Sequence, residues 1–106
     1  MHRFKELEIW KRSRIFCSKI YSLTNNFPDS EKFGLTNQLR RASVSVPSNI
    51  AEGSSRKSNK DFSRFLEITL GSCYEIETQL LIAFDLNFIK EEELNQVSKF
   101  KSTLKI

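Results

Sequence analysis

The sequence predicts an all-α protein, folded as an antiparallel up-down-up-down four-helix bundle. Three observations carry this. Apolar residues recur at three- and four-residue steps through four separate stretches, the period of a helix with one buried stripe. Gly 3 and Pro 2 in 106 residues are too few for the many turns of a β-rich fold. The breaks between stretches are short, which sets each helix antiparallel to the next. A chain of 106 residues is expected to form one domain, 1–106, with enough length to bury a core without disulfides or metals.

The first helix is expected over about 5–26, with Ile9, Ser13, Phe16, Ile20, Leu23 and Phe27 on its buried stripe. It stops at Phe27-Pro28-Asp29-Ser30, because Pro28 disfavours the helical region for Phe27 and Asp29 or Ser30 can cap the next helix. The second helix, about 31–53, has the stripe Leu35, Leu39, Ala42, Val46 and Ile50, with a bend expected near Pro47. Gly53 and the polar run after it read as a helix end, and Ser58 or Asn59 as the cap of a third helix over about 59–86. That helix carries Phe62, Leu66, Thr69, Cys73, Ile76, Leu80 and Ala83 on one stripe. Ile68, Leu70, Tyr74, Leu81 and Ile82 are spread over its other faces, which predicts packing against more than its own bundle. Gly71 in mid-helix costs about 1 kcal/mol relative to alanine, and a close helix approach is expected to offset it. Glu91, Glu92 and Glu93 suit the start of a fourth helix over about 91–105, whose apolar face is Leu94, Val97, Phe100 and Leu104.

Several function classes find no support. The first fifteen residues mix charges with apolar side chains, unlike an export signal, and the longest uncharged apolar run, Leu80–Phe84, is far short of the roughly 20 residues a membrane span takes. A cytoplasmic protein with no membrane contact is the expectation. Cys17 and Cys73 stand far apart with no CxxC and no clustered histidine, so they read as reduced thiols; no metal or other cofactor is implied. Ser43, Ser45, Ser48 and Asn49 around Pro47 imitate a nucleophile cluster, yet the one histidine, His2, sits at the amino terminus without an orienting partner. These side chains are expected to bond carbonyls near the bend. With no paired base and nucleophile, metal constellation or phosphate loop, the chain reads as no enzyme. Trp10 and Tyr74 have faces that stack on bases, but aromatics at helical spacing read first as core or interface.

The stretch LTNQLRRASVSVPSNIAEG from Leu35 to Gly53 and GSCYEIETQL from Gly71 to Leu80, with FKELEIWKRS near the start and FPDSEKFGL before the second helix, resemble the bacterial family of 23S rRNA-intervening sequence proteins. The likeness spans nearly the whole chain. It implies a four-helix bundle that assembles into a homopentameric ring, and kinship with the accessory variability proteins of diversity-generating retroelements. Those relatives imply a basic scaffold that engages nucleic acid and a reverse transcriptase. The family itself implies architecture and no biochemical activity.

On the expected bundle the charges separate by end, although the net charge is only +4. One end collects Arg3, Lys5, Lys11, Arg12, Arg14, Arg56, Lys57, Lys60, Arg64, Lys99, Lys101 and Lys105. The other holds Asp29, Glu31, Glu75, Glu77, Asp85 and Glu91 to Glu93 against Lys19, Lys32 and Lys90. Repeated around a ring, the basic end makes a rim that attracts RNA or DNA backbones in a salt-sensitive way, without sequence reading. An ordinary solvated surface is the alternative. Helix-surface pairs of Glu8 with Arg12 and Asp61 with Arg64 are spaced to take up part of that charge. Arg40 and Arg41 lie in mid-helix, level with about residue 72, and are expected to form partly buried ion pairs with Glu75 or Glu77, within or between subunits. Two functions are therefore expected: a non-enzymatic oligomeric scaffold that binds nucleic acid through its basic rim, or a protein–protein assembly module with no nucleic-acid role.

Overall fold

The computed structural model describes residues 2–104, with side chains described as far as Lys99. It contains four α-helices: α1 (Glu8–Thr24), α2 (Leu35–Ser54), α3 (Asn59–Asp85) and α4 (Glu91–Leu104), with single 3-10 turns at Phe4–Glu6 and Asp29–Glu31. No strand occurs among the described residues. The direction of each helix is legible in its cross-contacts. Gln38 meets Gln79 and Ser45 meets Ser72, so α3 runs backward along α2 residue for residue. Cys17 meets Ser43 and Thr24 meets Arg40, the same reversal between α1 and α2. Val97 of α4 lies beside Phe16 and Ile76, while Glu93 lies by Asn26 at the far end of α1.

The predicted stripes are the core. Ser13, Phe16, Ile20, Leu23 and Phe27 are buried, as are all five stripe residues of α2 and Thr69, Cys73, Ile76, Leu80 and Ala83 of α3. Ile89, from the α3–α4 turn, completes it. Phe62, Leu66, Leu94 and Val97 are half-buried, while the side chains of Phe100 and Leu104 lie outside the described residues. Helical period alone sufficed for this because a bundle core is the sum of such stripes.

Five local expectations are corrected. α2 begins at Leu35, not near Glu31, because the chain first makes the 3-10 turn and Glu31 then folds its carboxylate back to accept the Leu35 N–H at 3.1 Å. Gly53 does not end α2: the helix runs to Ser54 through it, and its missing side chain is what admits α3, since a Cβ there would sit 2.6 Å from Phe65 Cβ. Gly71 carries no such contact, with nothing within 4 Å of a Cβ built on it. The register is shifted, so that Arg40 lies level with about residue 77 and not 72, because the α2–α3 loop is centred past Arg56. The serines around Pro47 do bond carbonyls, but at their own preceding turns: Ser43 to Arg40 O, Ser45 to Ala42 O, and Asn49 to Ser45 O. α2 remains one helix across the proline.

The helix ends are closed by side chains where the backbone leaves groups unmade. Ser58 caps α3 by accepting the Asp61 N–H, as expected, and Glu93 accepts the Lys90 N–H ahead of α4. Two residues beyond the end of α3, Asn87 takes φ 63, and the Phe88 N–H then reaches back to Ala83 O at 2.9 Å. Asparagine tolerates this left-handed position, and the turn seats Phe88 against Phe27 with ring centroids 5.5 Å apart.

Candidate nucleic-acid interface

The amino-terminal segment decides what stands at the basic end. The His2 N–H donates to Ser54 O at 2.9 Å, and the His2 ring lies 5.0 Å from the Phe62 ring. The segment thus crosses the end of α2 and the start of α3, and brings Arg3 and Lys5 to the same end as Arg56, Lys57, Lys60 and Arg64. Trp10 is half-buried against the core, edge-on to Phe4 and covered by the Arg14 guanidinium at 5.6 Å. It is a packing residue here, while Tyr74 is 53% exposed.

Part of this charge is locally matched. Arg3 pairs with Glu6 at 3.6 Å, Lys11 with Glu8 at 3.5 Å and Arg56 with Glu52 at 3.2 Å, all exposed. Glu8 therefore takes Lys11 in place of the expected Arg12. Pairs of this kind are each worth about 0–1 kcal/mol, so they yield readily to a stronger anion. Arg56 also lies over the Phe65 ring at 4.9 Å, which fixes the guanidinium beside the α2–α3 loop. Arg64 and Asp61 line one shallow surface hollow with Arg56 and Phe65 but are not ion-paired. Among the described residues Lys57, Lys60 and Arg64 have no carboxylate within ion-pair distance, and all three are exposed. These three, with Arg56, are the centre of the basic end. Lys5 and Arg12 are exposed on the amino-terminal segment and the first turns of α1.

Lys99 is displaced from this group. α4 begins at Glu91, and Val97 already faces Phe16 and Ile76, so Lys99 stands nearer the middle of the bundle than its end. The Lys101 side chain and Lys105 lie outside the described residues.

The acidic end has a structural share as well. Glu31 and Glu93 cap helices, and Glu91, Glu92 and Glu93 occupy the first turn of α4, where negative charge opposes the helix dipole favourably. The molecule measures 44 × 25 × 19 Å along its principal axes. Its ends are therefore separated by several Debye lengths of about 10 Å, and the basic end acts on a polyanion with little interference from the acidic one.

Arg40 does not take the expected ion pair with Glu75. It faces α1, where Nε donates to Thr24 Oγ1 at 2.8 Å, Nη2 donates to Asn25 Oδ1 at 2.9 Å, and the guanidinium lies 4.8 Å from the centroid of the Tyr21 ring. Tyr21 O accepts a longer bond at 3.5 Å. A positive group with donors is thus set on the carboxyl end of α1, where the helix dipole favours it. The sequence signal was Thr24-Asn25 at a helix end opposite a mid-helix arginine, and it was outweighed by the attraction of a nearby glutamate. Arg41 and Glu75 border one polar groove between α2 and α3 without an ion pair between them; the Glu75 carboxylate accepts from Gln79, whose own Oε1 is buried without a donor among the described residues. Glu77 lies on the other flank of α3, beside a small apolar cavity shared with Phe16, Cys73 and Val97. At about 20 Å³ that cavity is far below the 300 Å³ or more of a ligand pocket. No described helix is long and apolar enough to cross a membrane.

Comparison with known proteins agrees with this architecture. The structure superposes with a TM-score of 0.82 on the crystal structure of a protein of unknown function from the S23 ribosomal protein family of Bacteroides thetaiotaomicron VPI-5482, at 24% identity over 91% of this chain and 87% of that one. At that identity the likeness is one of fold. No curated protein matches the chain. The family model described as 23S rRNA-intervening sequence protein matches residues 5–105, which takes in all four helices and both long motifs, and the chain therefore belongs to the 23S rRNA-intervening sequence protein family.

Proposed function

We propose that this protein is a non-enzymatic, homo-oligomeric scaffold that holds RNA or DNA backbones on its basic end. The observation that carries the reading is the group of Arg56, Lys57, Lys60 and Arg64 around the α2–α3 loop, of which the last three are exposed with no carboxylate in ion-pair distance among the described residues. Arg3 and Lys5 join it through the contact of His2 with Ser54. Phosphate contacts of this type carry no base information, so the binding is sequence-tolerant and weakens steeply with salt. The homopentameric ring that the family resemblance implies would repeat the group around one rim and multiply a weak single contact. A nucleic-acid-handling partner such as a reverse transcriptase is the further expectation of that kinship, in the cytoplasm.

Charge reversal at Arg56, Lys57 and Lys60 tests this by fluorescence anisotropy with a short RNA duplex and a DNA duplex across a salt series. Loss of binding to both, with a shallower salt slope, is expected; unchanged binding sinks the proposal. A second reading, assembly with another protein and no nucleic acid, is favoured by the apolar residues that α3 leaves exposed, and co-purification of one stoichiometric protein free of nucleic acid would select it.

A further inference from the structure

The hollow beside the α2–α3 loop is built from unlike parts. Arg56, Asp61, Arg64, Phe65 and Ile68 line it, around a volume of about 350 Å³. That is at the lower end of the range for small-molecule sites and suits one flat group with the rest of its ligand in solvent. Its floor is apolar, with Phe65 half-buried and Ile68 47% exposed. The Arg56 guanidinium is held from two sides, over the Phe65 ring at 4.9 Å and by the Glu52 carboxylate at 3.2 Å. Its side chain keeps 44% of its surface exposed, which leaves a flat cationic face for a further ring. Asp61 is the odd member. The first turn of α3 favours a negative charge, which accounts for an acidic residue there. It does not account for a carboxylate that lines a hollow with two arginines and is within ion-pair distance of neither, nor of any other cation among the described residues.

We propose that this hollow takes one unpaired guanine of a strand whose backbone lies on Lys57, Lys60 and Arg64. The site rests on the nucleic-acid reading above and adds to it a place for a single base. Two requirements select the ligand. A group that stacks on a guanidinium above an apolar floor has to be flat and aromatic, and one drawn to the centre of a basic end has to be carried on an anion; a nucleotide is both. Among the bases, guanine alone presents two neighbouring donors on its pairing edge, N1–H and the N2 amino group, and these match the two oxygens of one carboxylate. Adenine and cytosine set one amino group beside a ring acceptor, and uracil sets its one N–H between two carbonyls, so the second oxygen of Asp61 repels each of them. In a duplex the same edge is already occupied, so the base in the hollow has to be unpaired. Lys57, Lys60 and Arg64 hold the phosphates on either side whatever the sequence, and the preference is confined to one position.

The test is fluorescence anisotropy of labelled single strands on the full chain at one low salt concentration, each strand a run of uridines with one central guanosine, inosine or adenosine. The guanosine strand is expected to bind roughly 5- to 10-fold tighter than the adenosine strand. Inosine lacks the N2 amino group and should fall between them, which reads the contact on the unaltered protein. Asp61→Asn turns one of the two acceptors into a donor and should close the gap between guanosine and adenosine. The Ser58 cap binds the backbone N–H of residue 61 and not its side chain, so the variant is expected to fold. Equal binding of all three strands overturns the guanine site, and so does a gap that persists in Asp61→Asn. The backbone reading is decided separately by Lys57→Glu with Lys60→Glu: if the strands bind equally and this variant loses them all, the basic rim stands without the base site. A wild type that binds neither single strand nor duplex overturns both.

Discussion

Arg40 shows what a single side chain does in this bundle. Thr24 is 2% exposed and its hydroxyl donates to Ile20 O at 2.8 Å while accepting from Arg40 Nε, so truncating the arginine strands a buried acceptor and removes the charge from the end of α1. Arg40→Ala is expected to cost about 1–3 kcal/mol in urea denaturation. Arg40→Lys should recover only a part of that, because an ammonium lacks the planar fork that reaches Thr24 and Asn25 together. Equal stability of the lysine variant and the wild type would show that charge alone is at work. The two helical glycines form a second pair of opposites. Gly53→Ala places a methyl group 2.6 Å from Phe65 Cβ, an atom held close to the α3 backbone, and should lower stability by about 1–3 kcal/mol. Gly71→Ala meets nothing within 4 Å in its own chain and should raise stability by about 0.5–1 kcal/mol. Reversal of that order in thermal unfolding would contradict the packing.

At the scale of the element, each helix is set by a stripe and by the groups that close its ends. Ser58→Ala removes the acceptor for the Asp61 N–H and should cost about 1 kcal/mol, with faster amide exchange confined to the first turn of α3. Asn87 holds φ 63 so that Phe88 can turn back onto Ala83 O and Phe27. Asn87→Ala is expected to cost about 1–2 kcal/mol by the strain of a left-handed position, whereas Asn87→Gly should be tolerated. A loss of equal size with glycine would place the effect in the asparagine side chain instead. The stripes of α1, α2 and α3 were legible because burial along a helix follows one period, and none of their positions depends on which helix lies opposite. The start of α2 was not, because Glu31 caps from a 3-10 turn that shares its polar composition with a helix start.

For the whole molecule, the separation of charge matters more than its net value. A net +4 would bind phosphate weakly if evenly spread, but the cations around the α2–α3 loop lie at one end of a 44 Å rod. Raising salt from about 50 to about 200 mM should weaken duplex binding by a factor set by the number of phosphates contacted, and Lys60→Glu should lower the logarithmic salt slope by about 1 or more. A slope that does not change with these residues would place the contact elsewhere. The basic end was readable from the sequence as far as helix directions determine it, since antiparallel helices bring the start of α1 to the α2–α3 loop. Lys99 was misplaced because the height of α4 depends on where its packing with Phe16 and Ile76 stops it, and no local pattern encodes that.

By itself the sequence determined the number of helices, the stripe that each buries, the antiparallel order and the sign of charge at each end. These rest on periodicity, short connectors and the arithmetic of up and down, all of which are local or nearly so. The tertiary structure alone decided which glycine admits a neighbour, that Arg40 faces α1 and not α3, and that α3 keeps apolar side chains exposed outside the core. Each of these depends on the angular position of one helix relative to another and on a register shift of a few residues, and side-chain contacts set both across the whole bundle at once.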